Sequence, residues 1–265
     1  MKQKRAILLL GLIIILSGWW ITRGNSRVQP EAGVLDVWAT WGEDPEWLQA
    51  FFERYSQSSN VPVRVTTQVR SDVLKEALTA ADQPDLVILS NADLVKSYDQ
   101  QGLIEPLDGW IELTGIDLED FYPAPLKLCQ SPDGGYLCLP WGADVEALFW
   151  NKDLFKAARL DPERSHTVVI QGPVVIIPAG AVDKEAAAQL LAWMTSPEIL
   201  AEAAYAHSFL PTSRTAAQDA RFQQIPNFAV FMDLLANTES RNVLTTAVRE
   251  DLNQALGRIE EALRR

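Results

Sequence analysis

The sequence predicts an α/β fold built on a mainly parallel sheet, and two observations support this prediction. Between residues 34 and 101, short apolar segments of strand length alternate with longer segments whose apolar residues recur at helical spacing. The resulting β-α-β-α-β-α order needs crossovers that return each strand in the same direction, with the helices packed on the faces of the sheet.

Each predicted element has a local signal. Strands are expected where apolar and β-branched residues run together, at residues 34–38, 61–66, 86–89 and 174–177. The first helix is expected to begin at Asp44-Pro45, because aspartate is a good N-cap and proline suits the first turn. Further helices are expected at residues 71–81, 91–101 (stopped by Gly102), 183–195, from Ser196 onward, and at 244–263.

Composition and charge exclude several classes of function. The chain has 265 residues, 48% of them apolar, which suits one large domain or two modest ones. Its net charge of −12 disfavours nucleic acids and anionic bilayer surfaces as partners. His166 and His207 are isolated, and the sequence has no Gly-x-Ser-x-Gly elbow and no phosphate-binding glycine loop. No enzymatic activity, metal site or cofactor is therefore predicted.

An apolar run marks the N-terminal part of the chain. Residues 6–21 carry no charge, follow three basic residues and include Trp19-Trp20 near their far end. The run corresponds to roughly 25 Å of helix, close to the lower limit for crossing a bilayer, and no small-residue cleavage site follows it. Export is therefore predicted. Residues 1–23 would be an uncleaved anchor in the cytoplasmic membrane or, alternatively, the signal peptide of a secreted or periplasmic protein, and residues 24–33 a linker.

The two cysteines are predicted to form a disulfide. Cys129 and Cys138 flank Asp133-Gly134, a pair that favours two-residue hairpin turns, and this register places the cysteines directly opposite each other. Facing residues of an antiparallel pair have Cα separations that suit a disulfide, and an oxidising exterior permits one. The alternative is two reduced thiols.

Polar and aromatic side chains follow the first and third predicted strands. In an open α/β sheet a ligand lies beyond the carboxyl ends of the strands, here in the loops at residues 39–43 and 90–93. Carbohydrate recognition needs carboxylates and amides for the hydroxyl groups and aromatic faces for the apolar side of the sugar ring. Alternatively, the carboxylates only cap helices and the tryptophan belongs to the core. The candidate contacts in these loops are Thr40, Trp41, Glu43, Asn91 and Asp93.

Several motifs resemble those of one protein family, in the expected order. The segment Trp150-Asn151-Lys152-Asp153-Leu154-Phe155 is similar to a Tyr-Asn-Lys-Asp-Leu-Phe motif, with Trp150 in place of tyrosine. That motif follows the lobe crossover in the family 1 extracellular solute-binding proteins of ABC importers, the carbohydrate-type periplasmic binding proteins. Other segments that resemble the family are residues 35–41, 83–87, 102–108, 174–180 and 209–212.

The resemblance implies a periplasmic-binding-protein-like fold of type II. It places an N-terminal α/β lobe at residues 34–140 and a hinge with the C-terminal lobe at residues 141–265. The second lobe is expected to be truncated and mostly helical, because residues 160–166 lead directly into a strand where the family has a long central region. The resemblance also adds Trp141 and Asp144, around the crossover, to the ligand contacts. The alternative for Trp141 is a core residue.

The resemblance also implies a function. The chain is expected to be an extracytoplasmic protein that traps a sugar or polyol between two lobes and presents it to ABC permease subunits. The alternative follows from the missing central region: a shortened paralogue or remnant that acts as an anchored interaction domain without solute transport.

Overall fold

The central sheet has five strands of mixed direction. The computed structural model describes residues 33–41, 44–146, 156–157 and 169–237. The strands of these residues are β1 (Leu35–Ala39), β2 (Val63–Thr66), β3 (Leu86–Leu89), β4 (Leu139–Pro140), β5 (Asp144–Glu146), β6 (Val169–Gln171) and β7 (Val174–Ile176). The order in the sheet is β2-β1-β3-β7-β4, and β5 and β6 form a separate antiparallel pair.

Strand direction confirms the mainly parallel prediction. β1 pairs in parallel with β2 and with β3, whereas β7 is antiparallel to both β3 and β4. Four strands of this sheet therefore run in one direction and β7 runs in the other. All four residues of β3 are buried, as expected for a central strand that is covered on both faces.

Eight α-helices lie within the described residues. They are α1 (Pro45–Ser59), α2 (Ser71–Leu78), α3 (Val95–Gln100), α4 (Asp108–Thr114), α5 (Pro123–Leu128), α6 (Lys184–Met194), α7 (Pro197–Ala206) and α8 (Phe228–Asn237). Short 3-10 turns occur at Leu118–Asp120, Ala216–Gln218 and Phe222–Gln224.

The first helix begins at its predicted cap. An Asp44 carboxylate oxygen accepts a hydrogen bond from the Trp47 backbone N–H at 2.9 Å, and Pro45 occupies the first turn. The helix ends before Asn60, whose backbone is left-handed at φ 58°. The side chains that α1 buries against the sheet recur at helical spacing and are Leu48, Phe51, Phe52 and Tyr55.

Two helices are shorter than predicted, because side chains bond to the backbone at their ends. The helix expected from residue 91 begins at Val95, since Asn91 Oδ1 accepts the Asp93 N–H at 3.0 Å and forms a local turn instead. The helix expected to reach residue 81 ends at Leu78, whose carbonyl accepts a hydrogen bond from the Gln83 amide at 2.7 Å.

The chain leaves the central sheet through β5 and returns through β6. Strand β7 then enters the sheet between β3 and β4. Gly172, between β6 and β7, permits the chain to approach residue 142 closely: it has φ +136°, and a Cβ there would collide with the backbone carbonyl of Gly142. Residues 147–168 connect β5 to β6. All described residues belong to one compact unit, Gly33–Arg265, and the predicted division into lobes at residue 141 stays a prediction.

The predicted disulfide is present, but the predicted hairpin register is wrong by one residue. Cys129 and Cys138 are bonded, with their Cα atoms 4.8 Å apart. The turn contains three residues, 132–134, instead of two, because Gly134 takes the left-handed position (φ +96°) of a longer turn. The Leu137 N–H consequently donates to the Cys129 carbonyl at 2.8 Å, so Cys129 lies opposite Leu137.

Some predicted segments lie outside the described residues. These are the anchor or signal peptide at residues 1–23, the linker up to residue 32, the motif at residues 150–155 and the closing helix at 244–263. Within the part of the chain that the structure describes, no helix is long and apolar enough to cross a membrane.

Candidate functional site

Three of the predicted ligand contacts lie together beyond β1 and β3. The Thr40 hydroxyl donates to the Ile88 carbonyl at 3.4 Å and accepts the Ser90 N–H at 3.0 Å. The Thr40 hydroxyl therefore connects the end of β1 to the end of β3 by hydrogen bonds. Beside it, the Asn91 side chain accepts the Asp93 N–H, and the Asp93 carboxylate is exposed. The structure thus brings Thr40, Asn91 and Asp93 to one edge of the sheet, where two of them also stabilise the loops.

Trp41 belongs to a group of rings that we call the aromatic cluster. The Trp41 ring is half-buried, and its centroid lies 6.0 Å from that of Trp141. Trp141 is only 1% exposed, and its indole N–H has no hydrogen-bond partner among the described residues. The two predicted tryptophans are therefore in contact. Trp141 is buried, and Trp41 is the more exposed of the two. The members of the cluster are Trp41, Trp47, Phe51, Trp141, His207 and Phe209.

A Schellman motif at the end of α7 positions two members of this cluster. His207 is the C-cap, and the following residue, Ser208, has the left-handed φ of +58° that usually favours glycine. The Phe209 N–H then donates to the Ala204 carbonyl at 2.9 Å, the bond that closes such a motif. The turn fixes His207 and Phe209 on either side of Ser208.

Phe209 forms the wall between the aromatic cluster and a neighbouring cavity. Its ring centroid lies 5.5 Å from that of Trp41. The ring also packs directly on Gly142, where a Cβ would lie 2.8 Å from the phenyl Cδ2 atom. Residue 142 must therefore be glycine for Phe209 to occupy this place.

The cavity beyond Phe209, which we call the aromatic groove, has a volume of about 610 Å³. Three parts of the chain line it: Asp144 and Val145 of β5, segment 204–210 and segment 222–231. Asp144 is the only charged residue among the described residues of the lining. Five lining residues are aromatic, namely Tyr205, Phe209, Phe222, Phe228 and Phe231.

Backbone hydrogen bonds hold the carboxylate of Asp144 beside the groove. Ala143 and Leu210 form an antiparallel bridge with N–H···O distances of 2.9 and 2.7 Å, which joins β5 to the turn after α7. Asp144 is the next residue and is exposed. The groove therefore places one carboxylate beside a largely apolar, aromatic surface.

A charged pair supports the outer wall of the groove. The Arg221 guanidinium lies 5.4 Å from the ring centroid of Tyr205 and donates to both Asp219 carboxylate oxygens, at 2.8 and 2.9 Å. The side-chain and backbone hydrogen bonds from Arg221 lower the pKa of Asp219 to about 2. Both groups therefore stay charged at neutral pH, and the pair keeps its contact with Tyr205.

The predicted site residues do not all meet in one place. Asp144 lines the aromatic groove, and Trp41 contacts its Phe209 wall, whereas Thr40, Asn91 and Asp93 are not among the lining residues. Glu43 lies outside the described residues.

Sequence reasoning missed His207, Phe209 and segment 222–231 as parts of the site. A signal for Phe209 existed, because it lies in a segment, 209–212, that resembles the family's motif. Among the described residues, no group of three or more His, Cys, Asp and Glu side chains could hold a metal ion.

Family comparisons agree with this fold. Residues 38–167 match the family model described as bacterial extracellular solute-binding protein, and residues 162–230 match a second model of the same description. The chain belongs to the bacterial extracellular solute-binding proteins.

Two relatives are named as binding proteins. One is from Brucella abortus (strain 2308) and the other from Brucella suis biovar 1 (strain 1330). Each is 39% identical to this chain over 163 residues, which is 59% of this chain and 36% of the relative. The chain therefore spans about a third of the length of the relatives it matches.

Solved structures identify the fold as the type II periplasmic-binding-protein class. The sugar-binding protein MalE from Xanthomonas citri has a TM-score of 0.67 at 13% identity, covering 86% of this chain and 92% of that protein. UgpB from Mycobacterium tuberculosis, in complex with glycerophosphocholine, has a TM-score of 0.66 at 13% identity, covering 88% and 94%. CpMnBP1 with bound mannotriose has a TM-score of 0.64 at 16% identity, covering 86% and 98%.

Proposed function

We propose that this protein binds a carbohydrate or similar polyol in the aromatic groove and serves an ABC import system outside the cytoplasm. The observation that carries the proposal is the groove itself: about 610 Å³, walled by aromatic rings, with the Asp144 carboxylate at its side. Small-molecule sites have volumes of roughly 300–1,000 Å³ and combine apolar walls with a few polar groups.

The chemistry of the groove suits a sugar ring. Aromatic faces cover the apolar C–H face of the ring, and a carboxylate accepts hydrogen bonds from two neighbouring hydroxyl groups. Phe209 supplies such a face and contacts Trp41, while Asp144 supplies the carboxylate. Thr40, Asn91 and Asp93 would contact a longer ligand that extends towards the ends of β1 and β3.

Two of the solved neighbours support the choice of ligand class. The Xanthomonas citri protein is named as sugar-binding, and CpMnBP1 was solved with mannotriose. UgpB was solved with glycerophosphocholine, which makes this polar but non-carbohydrate compound a useful comparator.

Calorimetric titration of the purified full chain tests the proposal. Mannotriose, mannobiose, maltotetraose and glycerophosphocholine are titrated separately, and at least one of the sugars should bind. Asp144→Asn should then weaken binding about 10- to 100-fold, because a hydrogen bond to a charged acceptor contributes about 1.5–3 kcal/mol. Asp93→Asn is the matched control, and a disaccharide should bind it with nearly unchanged affinity. Absence of binding across the panel, or equal affinity for Asp144→Asn and wild type, would refute the site.

A second candidate function is an anchored interaction domain without solute transport. The connection between β5 and β6 favours it, because only residues 147–168 link the outgoing and returning strands. A binding protein with one complete lobe has one wall of its cleft and fewer polar contacts for a solute. Deleting the gene in its own organism separates the two functions. Slower uptake of a sugar that binds the purified chain would support import, and unchanged uptake would support the second function.

We also propose that residues 6–21 tether the protein to the cytoplasmic membrane. Their uncharged, apolar composition after three basic residues supports this part of the proposal. A tethered protein should remain in the membrane pellet after extraction with alkaline carbonate, whereas a cleaved and released form would appear in the soluble fraction.

A further inference from the structure

His207 lies where three parts of the fold meet. It caps the end of α7 and is half-buried between two tryptophan rings. Its ring centroid lies 4.4 Å from that of Trp41, after β1, and 4.4 Å from that of Trp47, on α1. The planes are nearly perpendicular in both pairs, at 80° and 83°. The imidazole therefore holds two tryptophans in edge-to-face contacts.

A short connection joins this contact to the wall of the aromatic groove. Phe209 follows His207 after a single left-handed residue, and the two rings lie 6.1 Å apart. Phe209 also contacts Trp41 and lines the groove. A change in how firmly His207 is held against Trp41 would therefore be transmitted to the groove wall.

Protonation of a histidine can change how firmly its ring is held against a tryptophan, because the imidazole gains a charge between about pH 8 and pH 5. A cation within about 6 Å of a tryptophan centroid is attracted to the negative face of the ring. Both tryptophans of this site satisfy that distance. Protonation would therefore strengthen the contacts of the imidazole with both tryptophans.

Charged side chains also lie on the elements around His207. On α1, Asp44 accepts the Trp47 N–H, Glu46 and Glu53 are exposed, and Arg54 bonds to Glu202 of α7 at 2.7 and 2.9 Å. On β5, Asp144 borders the groove. Glu43, in the loop that carries Trp41, lies outside the described residues. Mutation of His207 itself therefore distinguishes the effect of its protonation from any effect of these carboxylates.

We propose that His207 is a protonation-dependent positioning residue of the solute site. Its charged form fixes Trp41 and Phe209, and thereby makes the groove bind its solute more tightly at acidic pH. The part of this inference that concerns solute affinity rests on the proposed function, whereas the ring contacts do not.

The first experiment needs no ligand. Tryptophan fluorescence of the purified full chain is recorded from pH 5 to pH 8, because protonated imidazole quenches a neighbouring indole more strongly than neutral imidazole does. Wild type should show a one-proton transition that is lost in His207→Phe and His207→Gln. His166→Phe removes the only other histidine of the sequence and should retain the transition. The inference is overturned if wild type shows no transition, or if both His207 variants keep it.

The second experiment measures affinity at two pH values. Wild type should bind mannotriose, or whichever sugar of the calorimetric panel binds, about two- to fivefold more tightly at pH 5.5 than at pH 7.5. His207→Phe should bind it equally at both values, and a pH dependence that persists in this variant overturns the coupling. If no sugar binds at either pH, the proposed function fails, and the fluorescence transition still decides whether His207 titrates against the tryptophans.

Discussion

Replacing Asp85 by alanine should destabilise the protein by about 2–4 kcal/mol. Asp85 is 5% exposed, and one of its carboxylate oxygens accepts the Asp36 N–H of β1 at 2.9 Å. Its other oxygen accepts the N–H groups of Val182 and Asp183, just before α6, at 3.2 and 3.3 Å. The carboxylate thus joins the sheet to the start of a helix 98 residues further along the chain.

The expected loss depends on how far each of these three donors is buried. Asp36 is 6% exposed, so its N–H would be left buried without a partner, at a cost of about 1–3 kcal/mol. Val182 and Asp183 are exposed, and water can replace the lost acceptor there for a smaller cost. The sum of these losses gives the expected destabilisation by Asp85→Ala. Asp85→Asn should destabilise the protein less, because an amide keeps one acceptor oxygen.

Urea denaturation followed by circular dichroism measures this loss. The exposed Asp82→Ala is a matched control and should change the free energy of unfolding by less than about 0.5 kcal/mol. If Asp85→Ala were as stable as Asp82→Ala, the buried carboxylate would not hold β1 to α6 as described.

Three further predictions concern stability. Ser208→Gly should raise the free energy of unfolding by about 0.5–1 kcal/mol, because glycine adopts the left-handed φ of this position without strain; a lower urea midpoint would contradict the Schellman geometry. Burial raises the pKa of Asp120, but the hydrogen bonds from Ser213 and Thr215 and the charge of Arg214 outweigh it and lower the pKa overall. Asp120 therefore stabilises the folded state fully above its unfolded pKa, and this stabilisation is lost as the pH falls through the folded pKa. Asp120→Asn should accordingly show a weaker acid destabilisation below about pH 4 in unfolding titrations. Reducing the Cys129–Cys138 bond should cost about 2–3 kcal/mol, so dithiothreitol should lower the melting temperature of wild type and leave that of the double Cys→Ser variant unchanged.

Local sequence signals account for much of the fold. Strand β3 was predictable from its apolar run, and the start of α1 from its Asp44-Pro45 cap. Both signals lie within a few residues of the element that they define. The ends of α2 and α3 were not, since single side chains such as Asn91 divert the backbone into turns. The place of β7 between β3 and β4 depends on pairing across about 90 residues, for which the local pattern carries no signal.

The candidate site was only partly predictable for the same reason. The open-sheet rule led to Trp41, and the family resemblance led to Trp141 and Asp144. The groove, however, is assembled from β5, the end of α7 and segment 222–231, which are far apart in sequence. His207 looked isolated in sequence because its tryptophan neighbours, Trp41 and Trp47, precede it by about 160 residues.

A crystal structure of the full chain with the tightest-binding sugar of the calorimetric panel would test the central claim most directly. We expect the sugar in the aromatic groove, with one ring face on Phe209 and at least one hydroxyl group bonded to the Asp144 carboxylate. A sugar bound over Thr40, Asn91 and Asp93, with the groove empty, would contradict the assignment of the solute site.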